Sequence, residues 1–192
     1  SAKELLADSF VSAQDIAAGK INATLLGERV AQLYLDPLTA HELIMALRRV
    51  AGKVVTDFAL FHVLSNCLEM RPLLRVKVRE YEAIQQKLAE RYGQLLLEEP
   101  SVYDPEYDDY LNAFKTALFL EDWANEKTEE QLLEQHDIRP GEIKAKLDIA
   151  DWLLYSAAEL AALMKFQPVL KAILKARFRL KYGVKEELLP LL

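Results

Sequence analysis

A chain of 192 residues, 52% hydrophobic and 28% charged with six glycines and seven prolines, is long enough for one good core, or one domain plus a fragment. No uncharged run approaches the eighteen or so residues that a membrane span needs. The net charge of −6 counts at first sight against a nucleic-acid partner.

Its distribution counts the other way. Glu98 to Asp137 holds thirteen acids against Lys115 and Lys127, a net of −11, and Arg139 to Lys185 holds ten bases against four acids, a net of +6. Local field, not total charge, steers a phosphate backbone, so a basic side permits nucleic-acid binding. Both segments also read as ordinary solvated helix faces. The start, Ser1-Ala2-Lys3-Glu4, has no signal-peptide pattern, and no membrane partner is expected. The single cysteine, Cys67, excludes an internal disulfide and a cysteine-based metal site and suits a reducing cytoplasm.

Helices are expected nearly throughout. Lys3 to Ser9 reads as the end of one, and Ile16 to Thr24, with Gly19, as a turn and short wing-like strand. Leu25 to Tyr34 is a short helix broken at Asp36-Pro37, and a second runs from Pro37 to Val50. Gly52-Lys53 separates this from Thr56 to Leu68, which Arg71-Pro72 ends. Arg79 to Leu97 reads as one longer amphipathic helix. The acidic, tyrosine-containing stretch Glu98 to Asp109 is a loop entering a helix through Trp123. Thr128 with Gln131 forms a capping-box pattern for a helix to about His136. Pro140 opens a long helix to about Met164, and Gln167-Pro168 a basic one to Tyr182 with Gly183 as its C-terminal cap. The expected class is therefore all-α: about six to seven helices after residue 37.

The long helix is the most informative element. On a 3.6-residue wheel Ile143, Leu147, Ala150, Leu154, Ala157 and Ala161 form one apolar stripe, the face such a helix buries. Trp152 falls almost opposite, among Asp148, Tyr155, Ser156 and Glu159. A large ring on the polar side covers a neighbouring helix or stacks on a ligand such as an unpaired base.

The run Pro140 to Trp152 resembles the ratchet helix of the archaeal superfamily-two DNA helicases called Hjm, the Holliday-junction-migration and fork-restart helicases. Four further segments match that family in order: Thr24 to Val30 with Leu33 to Ala40, Glu69 to Leu73, Glu121-Asp122-Trp123, and Lys181 to Leu188. Together they span about residues 24 to 189. The resemblance implies that residues 1–36 are the end of a winged-helix domain and 37–192 a helical ratchet (Sec63-like) domain. It implies a DNA-repair role for the whole helicase. In this domain a tryptophan on the ratchet helix stacks on the translocating single strand. That role falls to Trp152. The family's arginine two helical turns earlier matches Ala145 here, flanked by Lys144 and Lys146, and a lysine reaches phosphate without stacking or forking as a guanidinium does. Phosphate contacts are expected from Lys144, Lys146 and the basic helix, at Lys171, Lys175 and Arg179. The partners implied are single-stranded or forked DNA and the motor domains of the same polypeptide.

Catalysis by this chain alone is not expected. Gly52-Lys53-Val54 lacks the upstream glycine and the hydroxyl residue of a GxxxxGK[ST] phosphate loop. The resemblance places ATP and Mg²⁺ in motor domains upstream, so this chain is expected to bind no cofactor and to hydrolyse no ATP. His41, His62 and His136 have no metal-ligand spacing, and no serine or cysteine lies in a nucleophile motif. Trp123, in a strongly apolar helix, is expected in the core. The alternative to a DNA-engaging domain is an all-α protein-interaction module, for which Trp152 would be buried. The DNA reading expects Trp152 partly exposed on a groove lined by Lys144 and the basic helix.

Overall fold

A computed structural model describes residues 24–50 and 52–191, and these residues contain eight α-helices and no β-strand. They are α1 (Leu25–Gln32), α2 (Pro37–Arg49), α3 (Asp57–Asn66), α4 (Tyr81–Arg91), α5 (Tyr107–Ala124), α6 (Glu129–His136), α7 (Pro140–Leu163) and α8 (Gln167–Tyr182). Seven of them follow residue 36, within the expected range. The expected helix at Lys3 to Ser9 and the strand up to Ala23 lie outside the described residues. Of the expected winged-helix part, residues 24–36 alone are described, and α1 packs against α7.

Local chemistry sets most helix starts. Thr24 Oγ1 accepts the Gly27 amide at 3.1 Å, Asp36 Oδ1 the Leu38 amide at 2.8 Å, and Thr56 Oγ1 the Ala59 amide at 3.1 Å. Each satisfies one of the donors that a helix N-terminus leaves free. Thr128 and Gln131 make the reciprocal capping box expected of them. Pro37 and Pro140 occupy first-turn positions, where the missing N–H costs nothing. Gly183 ends α8 in the left-handed region at φ 58°.

The core forms around two helix pairs, α3 on α5 and α7 on α8, joined where α8 reaches both α5 and α3. Every residue of α3 from Asp57 to Ser65 is buried, so the helix carries no clean amphipathic stripe: it has no solvent side. Phe61, Phe114 and Phe119 are fully buried, and truncating any one to alanine should cost about 3–5 kcal/mol. One element is shorter than its sequence pattern. The helix expected over Arg79 to Leu97 is α-helical only from Tyr81 to Arg91, with single 3₁₀ turns at Val78–Glu80 and Tyr92–Gln94. Only Ile84 and Leu88 of α4 are buried, and Gly93 in the following turn is a poor helix former. Little holds the helix beyond three turns.

Candidate nucleic-acid interface

Helix α7 runs 24 residues, about 36 Å, and is buried over far more than one stripe. The expected stripe is buried apart from the half-buried Leu147, but Lys146, Leu153, Ser156, Ala158 and Leu160 are buried too. Ser156, expected on the solvent side beside Trp152, has a buried Oγ without a hydrogen-bond partner. Between its first turn and its last, the exposed positions are Lys144, Ala145, Asp148 and Tyr155, which form a narrow open sector. Trp152 stands at its edge, half-buried, with its ring partly packed on the core.

The expected phosphate ligands divide sharply. Lys144 is on the surface, its side chain 80% exposed and paired to Asp148 one turn on, at 2.7 Å. Lys171 is exposed on α8. Lys175 is half-buried, 2.7 Å from Glu186 and 3.6 Å from Asp57.

Lys146 and Arg179 are not available to phosphate, which corrects the expectation for both. Lys146 is 6% exposed, and its ammonium donates to the carbonyls of Met70 and Pro72. Burial pulls its pKa below the ordinary lysine value, with Glu142 opposing the shift. Arg179 is 5% exposed and pairs with Asp57. It also donates to the Ala124 carbonyl at 3.1 Å, Asn125 Oδ1 at 2.7 Å and the Val184 carbonyl at 3.0 Å. Both act as cross-links of the bundle.

The basic side is therefore weaker than the sequence count. Arg177 is paired with Asp151 at 2.8 Å and Lys185 lies 3.5 Å from Glu126, both pairs partly exposed, so neighbouring acids offset part of the charge of the ten bases.

A groove of about 570 Å³ runs between the end of α5 and helices α6, α7 and α8, lined by Trp123, Ile143, Lys144, Leu147, Leu180 and Lys181 among others. The sequence anticipated a groove with Lys144 and the basic helix on its walls. The aromatic ring lining it, however, is Trp123, and Trp152 is not among its lining residues. Trp123 is half-buried and tied down, its Nε1–H donating to the Leu180 carbonyl at 2.7 Å and its ring facing Gly183. A more apolar pocket of about 620 Å³, lined by Leu47, Val50, Val54, Val55, Phe166 and Pro168 among others, lies at the end of α2 and the start of α8.

Among the described residues, no group of three or more His, Cys, Asp and Glu side chains is placed to hold a metal. Cys67 is buried, which pushes its thiol pKa well up, away from the reactive thiolate. His136 Nε2 lies 2.7 Å from Asp122 Oδ2 in a clamp between α5 and α6. Burial pushes the Asp122 carboxyl up, but hydrogen bonds from His136 and Lys127 outweigh this and hold it below its usual value. Among the described residues no helix is long and apolar enough to cross a membrane.

The family model for archaeal helicase domain 4 matches residues 58–183. The chain is 37% identical over 177 residues to the ATP-dependent DNA helicase Hel308 of Methanococcus vannielii, covering 88% of this chain and 22% of that protein. It is 34% identical over 179 residues to the protein of the same name from Caldivirga maquilingensis, covering 90% and 23%. The Hel308 helicase of Pyrococcus abyssi is 34% identical over 168 residues, covering 87% and 23%. The chain thus spans less than a quarter of the length of these three curated relatives. With a family model matched across α3 to α8, this chain belongs to the archaeal helicase domain 4 family, as found in helicases of the Hel308 (Hjm) type.

Proposed function

We propose that this chain is part of an ATP-dependent DNA helicase, and that its helical bundle engages the translocating single strand along the open sector of α7. The names of its relatives support the coarse reading. One observation carries the finer one: Trp152 is half-buried at the edge of a solvent-exposed sector rather than sealed in the core. A protein-interaction module with a buried Trp152 fits that placement less well. In this reading the Trp152 indole stacks on a base, a sequence-tolerant contact because every base offers a π-face. Lys144 and Lys171 supply exposed positive charge for phosphate. ATP and Mg²⁺ are held by motor domains of the same polypeptide, whose stepping moves the strand past α7. Forked DNA is a partner because a helicase meets single strand at a fork.

The test is Trp152→Ala in the intact helicase polypeptide, with binding to a labelled oligo-dT followed by fluorescence anisotropy. Loss of one stacked base, about 1–3 kcal/mol, should weaken affinity roughly five- to over a hundredfold and slow unwinding, while Trp152→Phe retains most of both. Unchanged affinity per folded molecule for Trp152→Ala would refute the reading.

A further inference from the structure

One turn from Trp152, a second aromatic ring on α7 carries an arginine from α8 over its face. Tyr155 is 37% exposed. The guanidinium carbon of Arg177, on α8, stands 5.1 Å over its ring centroid. Asp151 fixes that guanidinium, accepting from Nε at 2.8 Å and from Nη2 at 3.2 Å. From α1, Arg29 reaches Glu159 at 3.1 Å through Nε and Gln32 at 2.9 Å through Nη1. The Glu159 carboxylate, against some loss of solvation and with a smaller contribution from Tyr155, holds the Arg29 pKa above its ordinary value.

Stability alone accounts poorly for this arrangement. The ion pairs of Arg29 and Arg177 are about one-third exposed, where such pairs contribute little. The core under this part of α7 is already filled by Leu153, Leu154 and Ala157. What the arrangement does achieve is an oriented flat ring at the surface. A cation on one face holds it, and with 37% of the residue exposed the ring keeps surface within reach of a base. Arg177 spends two of its five N–H donors on Asp151, so the guanidinium keeps donors for a phosphate oxygen. Positions three apart on a helix are neighbours, about 5–6 Å between Cβ atoms, so Trp152 and Tyr155 can address adjacent bases of an extended strand.

We infer that Tyr155 is a second base-stacking residue and Arg177 the phosphate contact beside it, together forming a nucleotide subsite next to Trp152. The inference rests on the single-strand reading of α7 given above. It also gives that face a guanidinium, where Ala145, exposed two turns from Trp152, offers none. Asp151 and Glu159 offset much of the local positive charge, so stacking rather than net charge dominates the subsite.

The test uses the intact helicase polypeptide with two probes, a labelled oligo-dT and an abasic strand of equal length, and counts folded molecules by circular dichroism. Tyr155→Leu keeps apolar bulk but loses the flat ring, and should bind oligo-dT about tenfold more weakly with no change on the abasic strand. Tyr155→Phe should bind as the parent does. Arg177→Gln should weaken binding to both strands and lower the slope of log affinity against log salt by about one. Parental oligo-dT affinity for Tyr155→Leu, with Trp152→Ala impaired, overturns the subsite and leaves the Trp152 reading standing. Parental affinity for both variants overturns both. Equal loss for Tyr155→Phe and Tyr155→Leu shows that the hydroxyl, not the ring, is what binds, and also overturns the subsite.

Discussion

The guanidinium of Arg179 on α8 and the carboxylate of Asp57 in the first turn of α3, 122 positions apart in sequence, meet in an ion pair with both side chains 7% exposed. Taking away Arg179 leaves Asp57 buried beside Lys175 alone, at 3.6 Å. Breaking a buried pair from one side costs about 3–5 kcal/mol, because the remaining charge is uncompensated. Arg179→Met should therefore lower the unfolding free energy from urea titration by about 3–5 kcal/mol, with DNA affinity per folded molecule unchanged. A surface phosphate contact would give the reverse pattern.

The two buried or exposed classes of lysine should also separate. Lys146→Met leaves the Met70 and Pro72 carbonyls without their donor and should cost about 1–3 kcal/mol of stability without altering the salt dependence of DNA binding. Lys144→Ala and Lys171→Ala should leave stability nearly unchanged. Each should lower the salt slope by about one, as loss of a phosphate contact does. Unfolding curves and affinities at several salt concentrations on the same preparations decide it.

The exit of α8 depends on Gly183 closing over Trp123. At φ 58° an alanine Cβ would sit 3.4 Å from Trp123 Cε2 in a backbone conformation L-residues rarely adopt. Gly183→Ala should lower the thermal midpoint by an amount corresponding to about 1 kcal/mol, and Gly183→Asn by less, because asparagine tolerates the left-handed region. Trp123→Phe should cost about 1 kcal/mol through loss of the Nε1–H bond to the Leu180 carbonyl. Thermal melts of the three variants test both.

Acid should destabilise the bundle through His62. Its ring is fully buried among Phe58, Tyr110 and Phe114, and neither nitrogen has a hydrogen-bond partner. Desolvation lowers its pKa to about 4, with the Tyr110 backbone opposing slightly. The unfolded state, titrating near 6.5, then binds the proton more readily than the folded state. Stability is intact above about pH 6.5 and falls by about 3 kcal/mol as pH drops towards 4. His62→Leu should flatten this part of the stability profile, measured by urea unfolding from pH 7 to 4. An unchanged profile would assign the acid sensitivity to other groups.

Where helices begin and end was largely readable from the chain. Thr24, Asp36, Thr56 and Thr128 cap from their own side chains, Pro37 and Pro140 fix a first turn, and Gly183 supplies a left-handed stop. These are interactions within four residues, so sequence neighbours alone specify them. The exception, the shortened α4, arose where periodicity continued but buried partners did not.

Which charges reach solvent was a different matter. Lys144 and Lys146 look alike in sequence, yet one is in water and the other under the carbonyls of Met70 and Pro72, more than seventy residues away. The wheel put Ser156 with Trp152 on an outer face, but α7 is covered on more than one side, which no single-helix periodicity records. Arg177 reaches the Tyr155 ring, and Arg29 reaches Glu159 one turn on, only because α1, α7 and α8 pack together. The sequence by itself determined the helices and the family, because both are written in local spacing and ordered motifs. Burial, ion pairing and the shape of the open sector depend on elements far apart along the chain, and only the tertiary packing decided them.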